Sequence, residues 1–121
     1  MTTADAFVGT WRFDTYKGQP YTEPKIIMTI IPRAQFPEIF GLVLTREETP
    51  TLHIWELPFR DGRIEGEGTN QVTGEHWWVR ITLAPDGKRA EAEFDNRGNQ
   101  DPSLRLLLGL IGTWGAEKIG G

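Results

Sequence analysis

Val8-Gly9-Thr10-Trp11 and Ile111-Gly112-Thr113-Trp114 are two copies of one short motif, near the two ends of this chain of 121 residues. In each copy a β-branched residue precedes the glycine, and a segment that favours a strand follows. When a sheet closes on itself, its first and last strands become hydrogen-bonded neighbours. The alternative is a coincidental repeat. We therefore predict a closed barrel with one end sealed by the rings of Trp11 and Trp114.

Length, composition and charge narrow the class of protein. A chain of this length forms one domain, over residues 1–121. Hydrophobic residues make up 38% of it, and six Phe, five Trp and two Tyr supply large units of burial. A net charge of −4 without a basic cluster argues against a nucleic-acid partner. The absence of cysteine excludes disulfides and thiol chemistry and fits a reducing cytoplasm.

No segment of the sequence indicates export or a membrane. The N-terminus has neither the positive region nor the apolar run of a signal peptide. The densest apolar stretch, Leu106 to Ile111, is too short to span a bilayer. We therefore expect a cytoplasmic protein without a membrane partner.

Short β-rich runs recur along the chain, separated by Gly, Pro, Asp and Asn, which is typical of a sandwich or barrel. Asp61-Gly62 is the strongest hairpin signal, because a type I′ turn needs positive φ at both central residues. Asp86-Gly87 predicts a second tight turn, whereas Lys17 to Pro20 is predicted only to break the first strand. The eight predicted strands cover residues 7–16, 25–31, 38–46, 51–59, 63–69, 75–83, 88–95 and 113–119.

A short helix is predicted before the last strand. Asp101 is a capping residue followed by Pro102 at the first helical position, and Leu104 to Ile111 carries an apolar stripe that would plug one end of the barrel. A helix that touches a membrane or a partner is the alternative. The predicted fold class is thus all-β: an eight-stranded antiparallel up-and-down closed barrel with one short helix before the last strand.

The opening of the chain resembles two families of small barrels. Residues Asp5 to Trp11 are similar to the start of intracellular fatty-acid-binding proteins, and Gly9-x-Trp11 resembles the lipocalin signature. Both families are calycins, up-and-down barrels that enclose apolar ligands. Bacterial lipocalin-like domains often begin with a sequence similar to Gly-Thr-Trp-Arg. The resemblance implies a calycin-like barrel in which Lys118, from the last strand, lies over Trp11.

Two departures from these families limit what the resemblance implies. Lys17 to Pro24 is too short and too rich in proline for the helical pair of the fatty-acid-binding proteins. We also find no arginine and tyrosine set for a carboxylate, so a fatty acid is not implied.

Alternation along the strands predicts which side chains face the lumen. Residues two apart on a strand share a face, so His53 would stand beside Trp55 as a polar anchor among aromatic walls. In the alternative, the indole fills the core and the histidine lies at the rim. No metal and no cofactor are predicted. The residues predicted to contact a ligand are Trp11, Phe13, Met28, Phe40, Leu42, His53, Trp55, Trp77, Phe94 and Trp114.

The sixth predicted strand has two competing faces. Trp77 belongs to the more apolar face, which we place inward together with Val79 and Ile81. Trp78 and Arg80 then point outward, and an exposed Trp beside an Arg favours a homodimer interface there. In the reversed register they line the cavity instead.

Acid or base chemistry has three weak candidates. Glu56 would be a buried carboxylate with a raised pKa if its face of the fourth strand pointed inward, although a surface position is favoured. His53 and Tyr16 are the other two candidates. The pairs Glu65/Glu67 and Glu91/Glu93 alternate with Gly and Ala, which marks a solvated outer face rather than catalytic pairs.

Three functions follow from this pattern. The leading interpretation is that the lumen binds a small apolar or aromatic molecule. The first alternative is an enzyme of the cyclase, isomerase or decarboxylase type, which folds a substrate against the aromatic walls beside one acid or base. The second is an interaction or inhibitor module whose lumen is filled by side chains. The sequence leaves open whether the protein is an enzyme.

Overall fold

The structure, a computed structural model, describes residues 4–22, 25–33, 38–46, 52–69, 76–95 and 112–120, and only the backbone of residues 4, 46 and 52–55. Within these ranges a 3-10 turn, Ala4–Phe7, precedes nine strands. The strands are β1 (Gly9–Tyr16), β2 (Gln19–Pro20), β3 (Ile26–Pro32), β4 (Ile39–Arg46), β5 (Leu52–Arg60), β6 (Arg63–Thr69), β7 (His76–Leu83), β8 (Arg89–Asp95) and β9 (Gly112–Gly120).

The sheet closes into a barrel. From β3 to β9 each strand pairs antiparallel with the next, β1 pairs with β3, and β1 also pairs with β9. These eight strands form the closed barrel. The two-residue strand β2 pairs with the end of β1 and is not part of the closed ring. The predicted fold class is confirmed. The helix predicted between β8 and β9 lies outside the described residues.

The two Gly-Thr-Trp copies start the two strands that close the barrel, as predicted, but they do not seal the same end. Trp11 pairs with Lys118, and Trp114 pairs with Tyr16. Because β1 and β9 are antiparallel, the start of each strand lies at the opposite end of the barrel. The prediction that both indoles close one end was therefore wrong, and each end has one of them.

Two tight turns have the backbone of a type I′ hairpin. Asp61 and Gly62, between β5 and β6, have φ of 57° and 78°, which confirms the sequence prediction. Lys17 and Gly18 have φ of 50° and 82° and join β1 to β2, with Tyr16 paired to Gln19. The segment predicted only to break the first strand is thus itself a hairpin.

The barrel interior is apolar wherever the structure describes it. Every buried residue in the described ranges is hydrophobic or glycine, and the strands alternate buried with more exposed positions. On β8, Ala90, Ala92 and Phe94 are buried, whereas Glu91 is exposed and Glu93 half-exposed. The paired glutamates therefore lie on the outer face, as predicted.

An ion pair reaches across the seam where the barrel closes. A β-bulge between Phe13 and Thr15 leaves Asp14 out of register with β9. The Arg89 guanidinium, from β8, donates two hydrogen bonds to the Asp14 carboxylate, at 2.7 and 2.8 Å. A Cβ at Gly115 would lie 3.3 Å from the Arg89 guanidinium and would overlap Thr15 Oγ1. Because residue 115 of β9 is a glycine, there is space for the Arg89 side chain to extend from β8 to Asp14 on β1.

This ion pair predicts a pH-dependent contribution to stability. The hydrogen bonds from Arg89 lower the pKa of Asp14 below its ordinary value of 3.8. A lowered pKa in the folded state stabilises the fold above the ordinary value, and this contribution disappears as the pH falls through the lowered pKa. Because both side chains are partly exposed, we expect Asp14→Asn to cost about 0.5–1 kcal/mol at pH 7.

Urea unfolding at several pH values checks this expectation. The difference between the native protein and Asp14→Asn should be constant from pH 7 to pH 5 and shrink below pH 4. Asp61→Asn, in the exposed turn between β5 and β6, serves as the matched control and should show a smaller difference. A difference that persists unchanged at the lowest pH would contradict the assignment.

Candidate ligand-binding site

The structure places the predicted wall residues inside the barrel wherever it describes their side chains. Eight of them are at most 4% exposed. The structure describes only the backbones of His53 and Trp55, which pair with Leu44 and Leu42, so the predictions for their side chains lie outside the described part. The eight buried wall residues are Trp11, Phe13, Met28, Phe40, Leu42, Trp77, Phe94 and Trp114.

One end of the barrel carries an arrangement that we call the Trp11 cap, formed by Phe7, Trp11 and Lys118. The Trp11 indole is fully buried and donates a hydrogen bond from Nε1 to the Phe7 carbonyl, at 3.0 Å. Lys118 Nζ lies 5.5 Å from the centre of the Trp11 ring and 3.4 Å from the Ala6 carbonyl. The position of Lys118 over Trp11, implied by the calycin resemblance, is confirmed. The 3-10 turn is thereby fixed across the barrel end.

At the other end lies the Trp114 cluster, formed by Phe13, Tyr16, Tyr21 and Trp114. The Trp114 ring stacks on Phe13 at 5.1 Å between centroids and lies 4.2 Å from Tyr16. Tyr21 meets it edge-on at 4.8 Å and 85°. Tyr21 was not among the predicted site residues, because it lies outside the strands in a segment with no alternating pattern. Its neighbouring hairpin, Lys17-Gly18, was the signal that it folds back onto β1.

Two small buried residues pair with large aromatic residues on neighbouring strands. Ala92 is fully buried and pairs with Trp114 in β9, while Ala116 is fully buried and pairs with Phe13 in β1. On β6, a Cβ at Gly66 would come within 2.8 Å of the Pro58 ring, so this glycine admits a neighbouring strand rather than a ligand. The small side chains of Ala92 and Ala116 thus adjoin the large rings of Trp114 and Phe13 on neighbouring strands.

Of the three acid and base candidates, Glu56 lies on the outer face, Tyr16 packs against the core at one end of the barrel, and the side chain of His53 is outside the described residues. The Glu56 side chain is 35% exposed and lies 3.7 Å from Arg33, on the outer face of β5. Tyr16 is half-buried in the Trp114 cluster, with Lys17 Nζ 5.2 Å from its ring centre. The described residues include no group of three His, Asp or Glu side chains placed to hold a metal ion.

The outer face of β7 carries Trp78 and Arg80, as the sequence analysis predicted for its preferred register. Trp77, Val79 and Ile81 are fully buried, so the reversed register is wrong for this strand. Trp78 is half-exposed beneath Arg80, whose guanidinium carbon lies 5.3 Å from the indole centre. Arg80 also donates to Glu93 at 2.5 Å. Trp78 and Arg80 are thus engaged with each other on the outside of the barrel.

No helix in the described ranges has the length and apolar character needed to cross a bilayer. Comparisons of this chain with protein-family models, with curated proteins and with solved structures found no significant match.

Proposed function

We propose that this protein is a calycin-like barrel that binds a small apolar or aromatic molecule in its lumen. The observation that carries the proposal is the wall itself: within the described ranges every buried side chain is apolar, and buried alanines lie opposite aromatic rings. Such a wall gains about 25 cal/mol for each Å² of apolar ligand surface removed from water. In the described part of the chain, this wall has no buried charged side chain with which a ligand would have to pair.

The arrangement of the two ends supports the same proposal. The Trp11 cap lies at one end and holds Lys118 over a hydrogen-bonded indole, and the resemblance to calycins implies this position of the lysine. The Trp114 cluster supplies flat rings at the other end, and aromatic rings favour stacked or edge-on contacts with a flat ligand. A flat aromatic molecule therefore fits this wall better than a branched polar one.

A lumen-filling substitution tests the proposal. We expect N-phenyl-1-naphthylamine, an uncharged fluorescent probe, to bind the native protein saturably with one site per chain. Ala92→Leu should weaken this binding about tenfold, or about 1.4 kcal/mol, because the larger side chain occupies space beside Trp114. Fluorescence titration measures both affinities.

The control lies one residue away on the same strand. Glu91 is exposed on the outer face, so Glu91→Gln should leave the affinity unchanged. Far-UV circular dichroism checks that each variant is folded, and Ala116→Val replaces Ala92→Leu if the latter is not. A native protein that binds no probe would contradict the proposal and favour an interaction module with a packed interior.

A further inference from the structure

The backbone ladder between β1 and β3 stops before β1 ends. The pairing ends at Arg12 and Ile27, and in the described ranges Phe13 and Asp14 have no partner in β3. The Asp14 carbonyl instead accepts a hydrogen bond from the Tyr21 N–H, at 2.9 Å. The barrel wall is therefore completed at this point by the segment that carries Tyr21, not by a continuous strand.

A groove of about 340 Å³ opens to solvent at this break. Two of its lining residues, Phe13 and Tyr21, contact the buried Trp114 ring, at 5.1 and 4.8 Å between ring centroids. We call it the β1–β3 groove. Its lining residues are Arg12, Phe13, Asp14, Tyr21, Thr22 and Lys25.

The charges around the β1–β3 groove favour an anion. Among the described residues that line it, the one carboxylate is Asp14, which accepts two hydrogen bonds from Arg89, at 2.7 and 2.8 Å. Lys25 is exposed at the rim, and no carboxylate in the described part of the chain pairs with it. Arg12 pairs with Glu117, yet its side chain stays 44% exposed. Lys25 thus presents a cation to solvent in the groove that the half-buried Tyr21 also lines.

We infer that the β1–β3 groove binds an aromatic or apolar ligand that bears one acidic group, such as a carboxylate or a sulfonate. The apolar part of the ligand packs against Tyr21, and the acidic group pairs with Lys25 and is attracted by Arg12. Charge-assisted contacts of this kind orient a ligand as well as hold it. This inference rests on the proposed function and narrows its ligand class to anionic amphiphiles.

Two probes with the same pair of aromatic groups separate the charge from the apolar contact. 1-Anilinonaphthalene-8-sulfonate carries an acidic group, and N-phenyl-1-naphthylamine does not. We expect Lys25→Gln to weaken sulfonate binding about fivefold and Lys25→Glu about tenfold or more, because the pairing is partly screened by solvent. Binding of the uncharged probe should change less than twofold. Fluorescence titration at low ionic strength gives all the affinities.

Lys88→Gln provides the matched control, because Lys88 is an exposed lysine in the turn between β7 and β8. It should alter the binding of neither probe. Tyr21→Ala should weaken both probes, since it removes an aromatic surface of the groove, and circular dichroism verifies its fold.

The outcomes distinguish this inference from the proposed function. If both probes bind and Lys25→Glu leaves the sulfonate affinity unchanged, the inference is overturned while the proposed function stands. If sulfonate binding depends on Lys25 but not on Ala92→Leu, and the uncharged probe does not bind, the groove is an anion site and the proposed function fails.

Discussion

Replacing Trp11 with alanine should lower the free energy of unfolding by about 3–5 kcal/mol, the usual cost of truncating a large buried aromatic side chain. The indole is fully buried, so its loss leaves a cavity at the end of the lumen. The substitution also removes the donor to the Phe7 carbonyl and the ring beneath Lys118. Urea unfolding followed by circular dichroism measures the change.

Trp11→Phe separates the ring from its hydrogen bond. Phenylalanine keeps much of the apolar volume but cannot donate to the Phe7 carbonyl, so we expect a loss of about 1–2 kcal/mol. Lys118→Met, which keeps the length of the side chain without its charge, should cost about 0.5–1 kcal/mol. If Trp11→Ala cost less than 1 kcal/mol, the Trp11 cap would not stabilise the fold as we describe.

Gly112→Ala is the second substitution with a large expected effect, a loss of about 2–4 kcal/mol in the free energy of unfolding. The φ of Gly112 is 130°, outside the left-handed region that other residues sometimes adopt. A Cβ there would also lie 2.9 Å from Lys17 Cε and 3.1 Å from Tyr16 Cε1. Backbone strain and crowding therefore act together at the start of β9.

Gly62→Ala is the matched control, because Gly62 also has a positive φ but has no neighbouring atom that an added Cβ would contact. Its φ is 78°, and a Cβ would meet no atom within 4 Å. We expect a cost of about 1 kcal/mol from the backbone alone. Urea unfolding of the two variants side by side gives the comparison. Equal losses would show that contact with Tyr16 and Lys17 contributes nothing at Gly112.

The strands and their inward faces were largely predictable, because the signals are local. Side chains alternate with a period of two in a strand, so the run from Trp77 to Leu83 reveals its buried face without knowledge of any partner. Asp61-Gly62 predicts its turn from the positive φ that both residues adopt. For the same reason eight of the ten predicted wall residues could be placed and are buried. The ligand contacts of all ten remain predictions.

The features that could not be predicted from the sequence depend on contacts between residues far apart in the chain. The β-bulge at Asp14 changes the register of β1 against β9, and nothing near Asp14 in the sequence marks it. Arg89 reaches Asp14 only because Gly115 lies between them in space. The contact of Tyr21 with Trp114 joins two segments about ninety residues apart.

The sequence by itself determined that this chain is a closed β-barrel with an aromatic interior, since alternation, turn residues and the paired Gly-Thr-Trp motifs are properties of short segments. Only the tertiary structure decided that Trp11 and Trp114 occupy opposite ends, that Glu56 lies outside, and that a groove opens between β1 and β3. These outcomes depend on strand direction, register and the path of the chain between strands. Such properties arise from long-range pairing, in which a shift of one residue turns a side chain to the other face.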